Sequence, residues 1–279
     1  MNFYDIIMKR RSVRSFKDQK VPQQVIEELI DAVNNAPSGG NIQPLSIIII
    51  QSDESRKELA QFLDGQPWVK NAPLSLIFCI DFYRVKKWAS MSDTDFLGDN
   101  AFLQFLIAYA DVMCAAQNAV ILAESYGLGS IYVGSILTKI NKIRKYFLIP
   151  KYVLPVISLS IGYPERTPEN ICKLDKNVVI HKEKYDSMND DRINQAYNNK
   201  YKEFNDNIDE FLQKAYVEAI EYDKQLDINM VKKIKERIEK FKIKNPAQFL
   251  FDLRYPAKAM VAMNKKLFRE LKEAGFEFI

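Results

Sequence analysis

The chain of 279 residues carries 40 Lys and Arg against 36 Asp and Glu, for a formal net charge of +4, and is 47% hydrophobic. That composition is ordinary for a globular protein and too weakly basic to point to nucleic acid. A single histidine, His181, excludes a zinc site and a Ser-His-Asp triad, so an enzyme here would draw its hard chemistry from a cofactor.

Asn2 to Ile7 reads as a capped amphipathic helix, and no basic-then-apolar leader opens the sequence. Val21-Pro22 starts a second helix, with Val25, Ile26, Leu29, Ile30 and Val33 on one face, ending near Asn34-Asn35. The β-branched run within Leu45–Gln51 predicts a buried strand, Ser52 caps a short helix to about Asp64, and Leu74–Asp81 predicts a second strand. Residues 100–127 form a long helix stopped by Gly127. Its Gln104, Asp111, Gln117 and Asn118 favour a buried core helix over a bilayer span. Ser130–Val133 is short and β-like, Thr138–Phe147 is helical, and Val153–Tyr163 is a third apolar strand.

The expected class is therefore α+β, with a sheet among helices over residues 1–185. Beyond Asp186, Asn189-Asp190-Asp191 and Asn198-Asn199-Lys200 read as a polar linker leading to an all-helical extension, residues 186–279. Its stripes are Phe204, Ile208, Phe211, Leu212, Ala215 and Ala219, then Val231, Ile234, Ile238 and Phe241. Asn245-Pro246 starts a helix, and a last stripe from Met260 through Leu271 precedes Gly275. Packing against the core or a partner subunit is the expectation for this tail. Cys79, Cys114 and Cys172 lack CxxC spacing. The first two lie in apolar runs and read as buried hydrophobes, in a reducing cytoplasmic compartment.

Two segments carry chemistry. Arg10-Arg11-Ser12-Val13-Arg14 places three guanidiniums and a hydroxyl within five residues, a donor set matched to phosphate oxygens. Pro37-Ser38-Gly39-Gly40-Asn41-Ile42-Gln43-Pro44 is a glycine turn with three uncharged hydrogen-bonding side chains, suited to the edge of a planar heterocycle. Together they suggest a phosphorylated, ring-bearing ligand, and no Rossmann-type glycine fingerprint competes for it.

Five motifs in order resemble the nitroreductase superfamily of FMN enzymes. They are Arg10–Phe16, Ala36–Pro44, Gly65–Val69 with the following strand, Tyr126–Ser135, and Ile161–Pro164. The resemblance implies a nitroreductase-like central mixed sheet surrounded by helices. Arg10, Arg11, Ser12 and Arg14 would hold the FMN phosphate and the polar ring edge. Ser38, Gly39, Asn41 and Gln43 would line the flavin, in the family often from the second subunit. Gln66 would contact the flavin, and Tyr132, Val133, Gly134 and Ser135 would pass behind the ring.

The family's Lys and Arg after the Gly-aromatic-Pro turn fall at Ile171 and Lys173, which moves more of the phosphate binding onto the N-terminal arginines. Trp68 and Phe102 are candidate acceptor contacts. The implied activity is two-electron transfer from NADH or NADPH to a nitroaromatic, quinone or flavin acceptor by a ping-pong cycle. A homodimer is implied, with no nucleic-acid or membrane partner. Three other readings stand beside it: dehalogenase or flavin-degrading chemistry, an FMN-binding protein of low turnover covered by its tail, and a helical nucleic-acid-binding protein.

Overall fold

The computed structural model describes residues 2–166, 168–169, 171–211, 236 and 238–278. Of the expected stripes, Leu212, Ala215, Ala219, Val231 and Ile234 lie outside these residues. The described chain forms two compact units, Met1–Pro168 with Met263–Ile279, and Glu169–Ala262. The expected boundary at 185/186 falls inside the second unit.

In the first unit, helices α1 (Phe3–Lys9) and α2 (Gln23–Asn34) precede β1 (Leu45–Ile50). Next come α3 (Asp53–Phe62), α4 (Pro67–Asn71), β2 (Leu74–Asp81), α5 (Phe82–Met91) and α6 (Phe102–Ser125). The unit continues with β3 (Gly129–Val133), α7 (Ile140–Tyr146) and β4 (Val153–Gly162). Local chemistry sets the helix starts. The side chains of Asn2, Ser52 and Asp81 accept the backbone N–H groups of Asp5, Ser55 and Arg84, satisfying donors that each first turn leaves over.

The strands order as β1-β2-β4-β3, every ladder antiparallel. The mixed sheet expected from the resemblance is thus antiparallel in its four strands, its parallel character confined to a bridge between Ser12 and Ser130. All of β2 and β4 is buried, because helices cover both faces. Leu74, Leu76, Phe78 and Ile80 join one core with α2 and α6, while Ile77 and Cys79 join the other with α3 and α7. Alternate side chains point to opposite faces, so burial on both yields the unbroken apolar runs seen in the sequence. A bulge between Phe78 and Cys79 lets Pro155 sit within β4, where a regular ladder would want its missing N–H.

Helix α6 is 24 residues, about 36 Å at 1.5 Å per residue. By length and apolarity alone it would pass as a membrane span. Here Ala108, Val112, Ala115, Ala116, Ala119, Val120 and Ala123 bury one side against the sheet, the expected core role. The side away from the sheet is exposed although it too is largely apolar, with Leu103, Leu106 and Ile107 on it. Cys114 lies there, exposed rather than buried as expected.

The last helix, α10 (Ala257–Glu273), ends in the first unit, and Phe276 enters the core against Phe82. Tyr152 N donates to Ala274 O at 2.8 Å, and Glu277 N to Asp99 O at 3.1 Å. In α10, however, the expected stripe is only partly buried: Leu271 is inside, whereas Met260, Val261 and Phe268 are exposed.

The second unit holds α8 (Asp190–Lys200) and α9 (Lys202–Asp206). The segment read as a polar linker is thus helix α8. Asn189 caps it, Asp190 and Asp191 sit at its positive end and Lys200 at its negative end, so polar residues stabilise its ends rather than break it. Phe204, Phe211 and Phe249 form a small aromatic cluster in this unit.

Candidate cofactor site

Residues 10–16 leave α1 and run along β3, the sheet's edge strand. Ser12 bridges Ser130, Val13 N donates to Ser130 O at 3.0 Å, and Phe16 bridges Pro164. Val13 and Phe16 point inward and are buried, leaving Ser12 and Arg14 half-buried on the other side. Gly129 permits this approach, since a Cβ there would stand 2.3 Å from Val13 Cγ2.

The Arg14 guanidinium lies over the Trp68 ring, 5.8 Å from its centroid. Trp68 packs with Val13, Phe16, Ala72 and Ile131. Two residues before it, at the start of α4, Gln66 Nε2 donates to Ser135 Oγ at 3.0 Å. The fold therefore gathers Ser12, Arg14, Gln66, Val133, Gly134 and Ser135 at one edge. Val133 is buried, and a Cβ on Gly134 would meet nothing within 4 Å.

Arg10 and Arg11 face the C-terminal end of α6. Arg11 Nη1 donates to Met8 O and Arg10 O, both at 2.8 Å, closing the end of α1. Tyr132 donates to Gln117 Oε1 at 3.2 Å, and burial pushes its phenol up to about 12 against the opposing pull of Arg10. Burial also pushes the Glu124 carboxyl up to about 7, although Arg10 and Arg11 pull it down, and its Oε1 has no hydrogen-bond partner.

A folded pKa above the ordinary 4.5 means the folded chain holds a proton that the unfolded chain has released. Stability from this group is full below about pH 4.5 and is lost as pH rises through about 7. Glu124→Gln should therefore raise Tm above about pH 7, and the gain should fade as pH falls to 4.5. Melting curves across that range check it; a gain independent of pH would contradict it.

The second segment lies elsewhere. Ser38–Gln43 precedes β1 at the opposite sheet edge, three strand spacings or about 14 Å from β3. It touches α6 at Asp111, whose two carboxylate oxygens accept from Gly39 N at 3.1 and 3.2 Å. Glu124, beside the arginines, is thirteen residues further along α6, about 20 Å. Ser38 Oγ accepts from Gln43 N at 3.2 Å, and Gln43 Nε2 donates to Asn34 O at 3.0 Å, whereas Asn41 is exposed. One chain does not bring the two expected halves of the site together.

Phe102 stands apart, stacked on Phe105 and edge-on to Phe278 near the C-terminus. Ile171 and Lys173 belong to the second unit. Sequence reasoning missed Glu124, Asp111 and Arg84. Asp111 and Glu124 are lone charges on an apolar helix, a signal that marks a polar contact without naming its partner, and Arg84 is one of three cations on α5, with nothing local to set it apart from Lys86 and Lys87.

Among the described residues, none of Arg10, Arg11 and Arg14 has a carboxylate within ion-pair distance. Trp68 Nε1 beside Arg14 is a buried donor without a partner. Three unpaired guanidiniums, an orphan donor and open space at Gly134 fit an anionic ligand with a flat polar body. Fold and donor set together are those of an α+β protein with a place fit for a phosphorylated ring compound.

The chain belongs to the nitroreductase family, whose model matches residues 7–163. It is 33% identical over 198 residues to the FMN reductase [NAD(P)H] of Bacillus subtilis, covering 70% of this chain and 79% of that one. The structure of the NfrA1 nitroreductase of B. subtilis superposes with a TM-score of 0.72 at 27% identity, over 99% of both chains. The NADPH:FMN oxidoreductase of Vibrio harveyi, solved with NAD+, gives a TM-score of 0.65 at 29% identity, over 71% of this chain and 84% of that one.

Proposed function

We propose that this chain is an NAD(P)H-dependent FMN oxidoreductase that passes two electrons to a small nitroaromatic, quinone or flavin acceptor. The observation that carries the reading is Arg14 on Trp68, with Gln66 and Gly134 at the same sheet edge and Arg10 and Arg11 in the same segment, none of the three with a carboxylate at ion-pair distance among the described residues. Supporting it, similar proteins are named FMN reductase and NADPH:FMN oxidoreductase, and the latter was solved with NAD+. FMN, when bound, supplies the ring through which both electrons pass.

The chain's own residues bind and orient. Arg10, Arg11, Ser12 and Arg14 hold the phosphate and polar ring edge. The Gln66–Ser135 pair fixes an amide beside the ring, and Gly134 leaves room for it. Trp68 supports Arg14 from beneath as well as walling the acceptor space.

The working form is a homodimer in which Ser38, Gly39, Asn41 and Gln43 of one copy meet the arginine edge of the other. The separation of the two segments along α6 supports this. So does the exposed apolar face of α1 and α6: Phe3, Tyr4, Ile7 and Met8 with Phe102, Leu103 and Leu106. The chain is assigned to the cytoplasm, where its three free thiols stay reduced.

The test is anaerobic addition of NADH or NADPH to FMN-loaded protein. The flavin absorbance bands should bleach within the mixing time of a turnover assay and return on adding a quinone. Bands that persist with both nucleotides would contradict the proposal.

A further inference from the structure

The Ser38–Gln43 loop holds three left-handed positions, two of which its sequence suits and one of which it does not. Gly40, Asn41 and Gln43 have φ of +59°, +54° and +52°; glycine and asparagine adopt this region readily, whereas for Gln43 it is costly. Within the loop, Asn41 N donates to Ser38 O at 3.0 Å and Leu45 N to Gln43 O at 2.8 Å. Ser38 Oγ also accepts Gln43 N within it, and Gln43 Nε2 donates to Asn34 O at the end of α2. Two further anchors are side chains on two other helices, α6 and α5.

On α6, Asp111 accepts the Gly39 N–H with both carboxylate oxygens. On α5, Arg84 Nη2 donates to Gln43 O at 3.0 Å and to Leu45 O at 2.6 Å. Arg84 is itself held. Asp81, only 6% exposed, accepts Arg84 N at 2.9 Å, lies 3.6 Å from its Nε, and also accepts the Ser46 hydroxyl. Asp111 and Arg84 line, with Ser38 and Gln43, a cavity of about 50 Å³ under the loop.

We infer that Asp111 and Arg84 are positioning residues for the cofactor: they clamp the loop backbone in its left-handed form and so present Ser38 and Asn41. The inference rests on the FMN reading above and adds to it two residues outside the family motifs. Neither residue needs to touch the flavin. The clamp works through charge-assisted bonds to backbone groups, which are about twice as strong as neutral ones.

The experiment compares the full chain with Asp111→Ala, Asp111→Asn and Arg84→Met. It reads backbone hydrogen exchange over residues 35–45 and FMN affinity by fluorescence titration. Asp111→Ala and Arg84→Met should speed exchange in that segment and weaken FMN by about tenfold. Asp111→Asn keeps an acceptor for Gly39 N–H and should restore both to within about threefold.

If the Asp111 variants weaken FMN while exchange over residues 35–45 keeps the rate of the unaltered chain, the effect does not pass through the loop backbone and the clamp is overturned. Unchanged exchange and affinity in both Asp111→Ala and Arg84→Met would overturn it too. Faster exchange in protein that takes no FMN even as wild type would sink the cofactor reading, and with it the positioning role, while leaving the loop contacts in place.

Discussion

Arg14→Ala is expected to weaken FMN binding by about 10- to 100-fold while the chain stays folded. The side chain is half-buried at the β3 edge, over Trp68, and among the described residues no carboxylate stands within ion-pair distance. A guanidinium bonded to phosphate contributes about 1.5–3 kcal/mol, and each 1.4 kcal/mol is a factor of ten in affinity. Losing the stacking on Trp68 costs about 0.5–1 kcal/mol of stability, too little to unfold a domain of this size. Arg14→Lys keeps the charge and loses the fork, so its affinity should fall between the two. Arg11→Ala should also weaken FMN retention, by less, because two of its donor contacts close α1 instead. Equal retention of FMN in all three variants, measured after gel filtration, would remove the arginine run from the site.

Gly129→Ala should damage fold and site together. The added Cβ would stand 2.3 Å from Val13 Cγ2 and 2.8 Å from Val13 Cβ. Val13 is buried in the small core with Phe16, Ala72 and Ile131, so it has nowhere to move. Overpacking of this kind costs about 1–3 kcal/mol. The cheapest relief is for residues 12–14 to lift away from Ser130, which displaces Ser12 and Arg14. A lowered Tm and weaker FMN binding are therefore expected together. Adding Val13→Ala removes the closest atom but not Cβ, so it should recover part of both losses. A Gly129→Ala chain with unchanged Tm would show that the arginine segment does not lie against β3 as described.

The sequence shows the four strands and most helices because each follows one strong local rule. The isoleucine run of β1, the apolar runs of β2 and β4, and the Asn2 and Ser52 caps all name their elements without tertiary help. Helix α8 was hidden because its polar residues, good helix caps and end charges, look the same as those of a linker. Cys114 misled because α6 is apolar on its exposed side as well as its buried one, so periodicity does not tell the faces apart.

At the site, the motifs named the arginine segment and, separately, Gln66 and Ser135, which the structure joins by a hydrogen bond. They did not reveal that Ser38–Gln43 sits across the sheet, which depends on strand order. Nor did they single out Asp111, Arg84 or Glu124, whose roles come from contacts 72, 41 and more than 100 residues away in the chain.

Fluorescence titration of flavin-free protein with FMN and, in parallel, with riboflavin separates a phosphate site from a site that holds only the ring. The arginine edge requires FMN to bind about 100-fold or more tightly than riboflavin, since the two differ only in the phosphate. Equal affinities, or no binding of either, would contradict the assignment of Arg10, Arg11 and Arg14 to a cofactor phosphate.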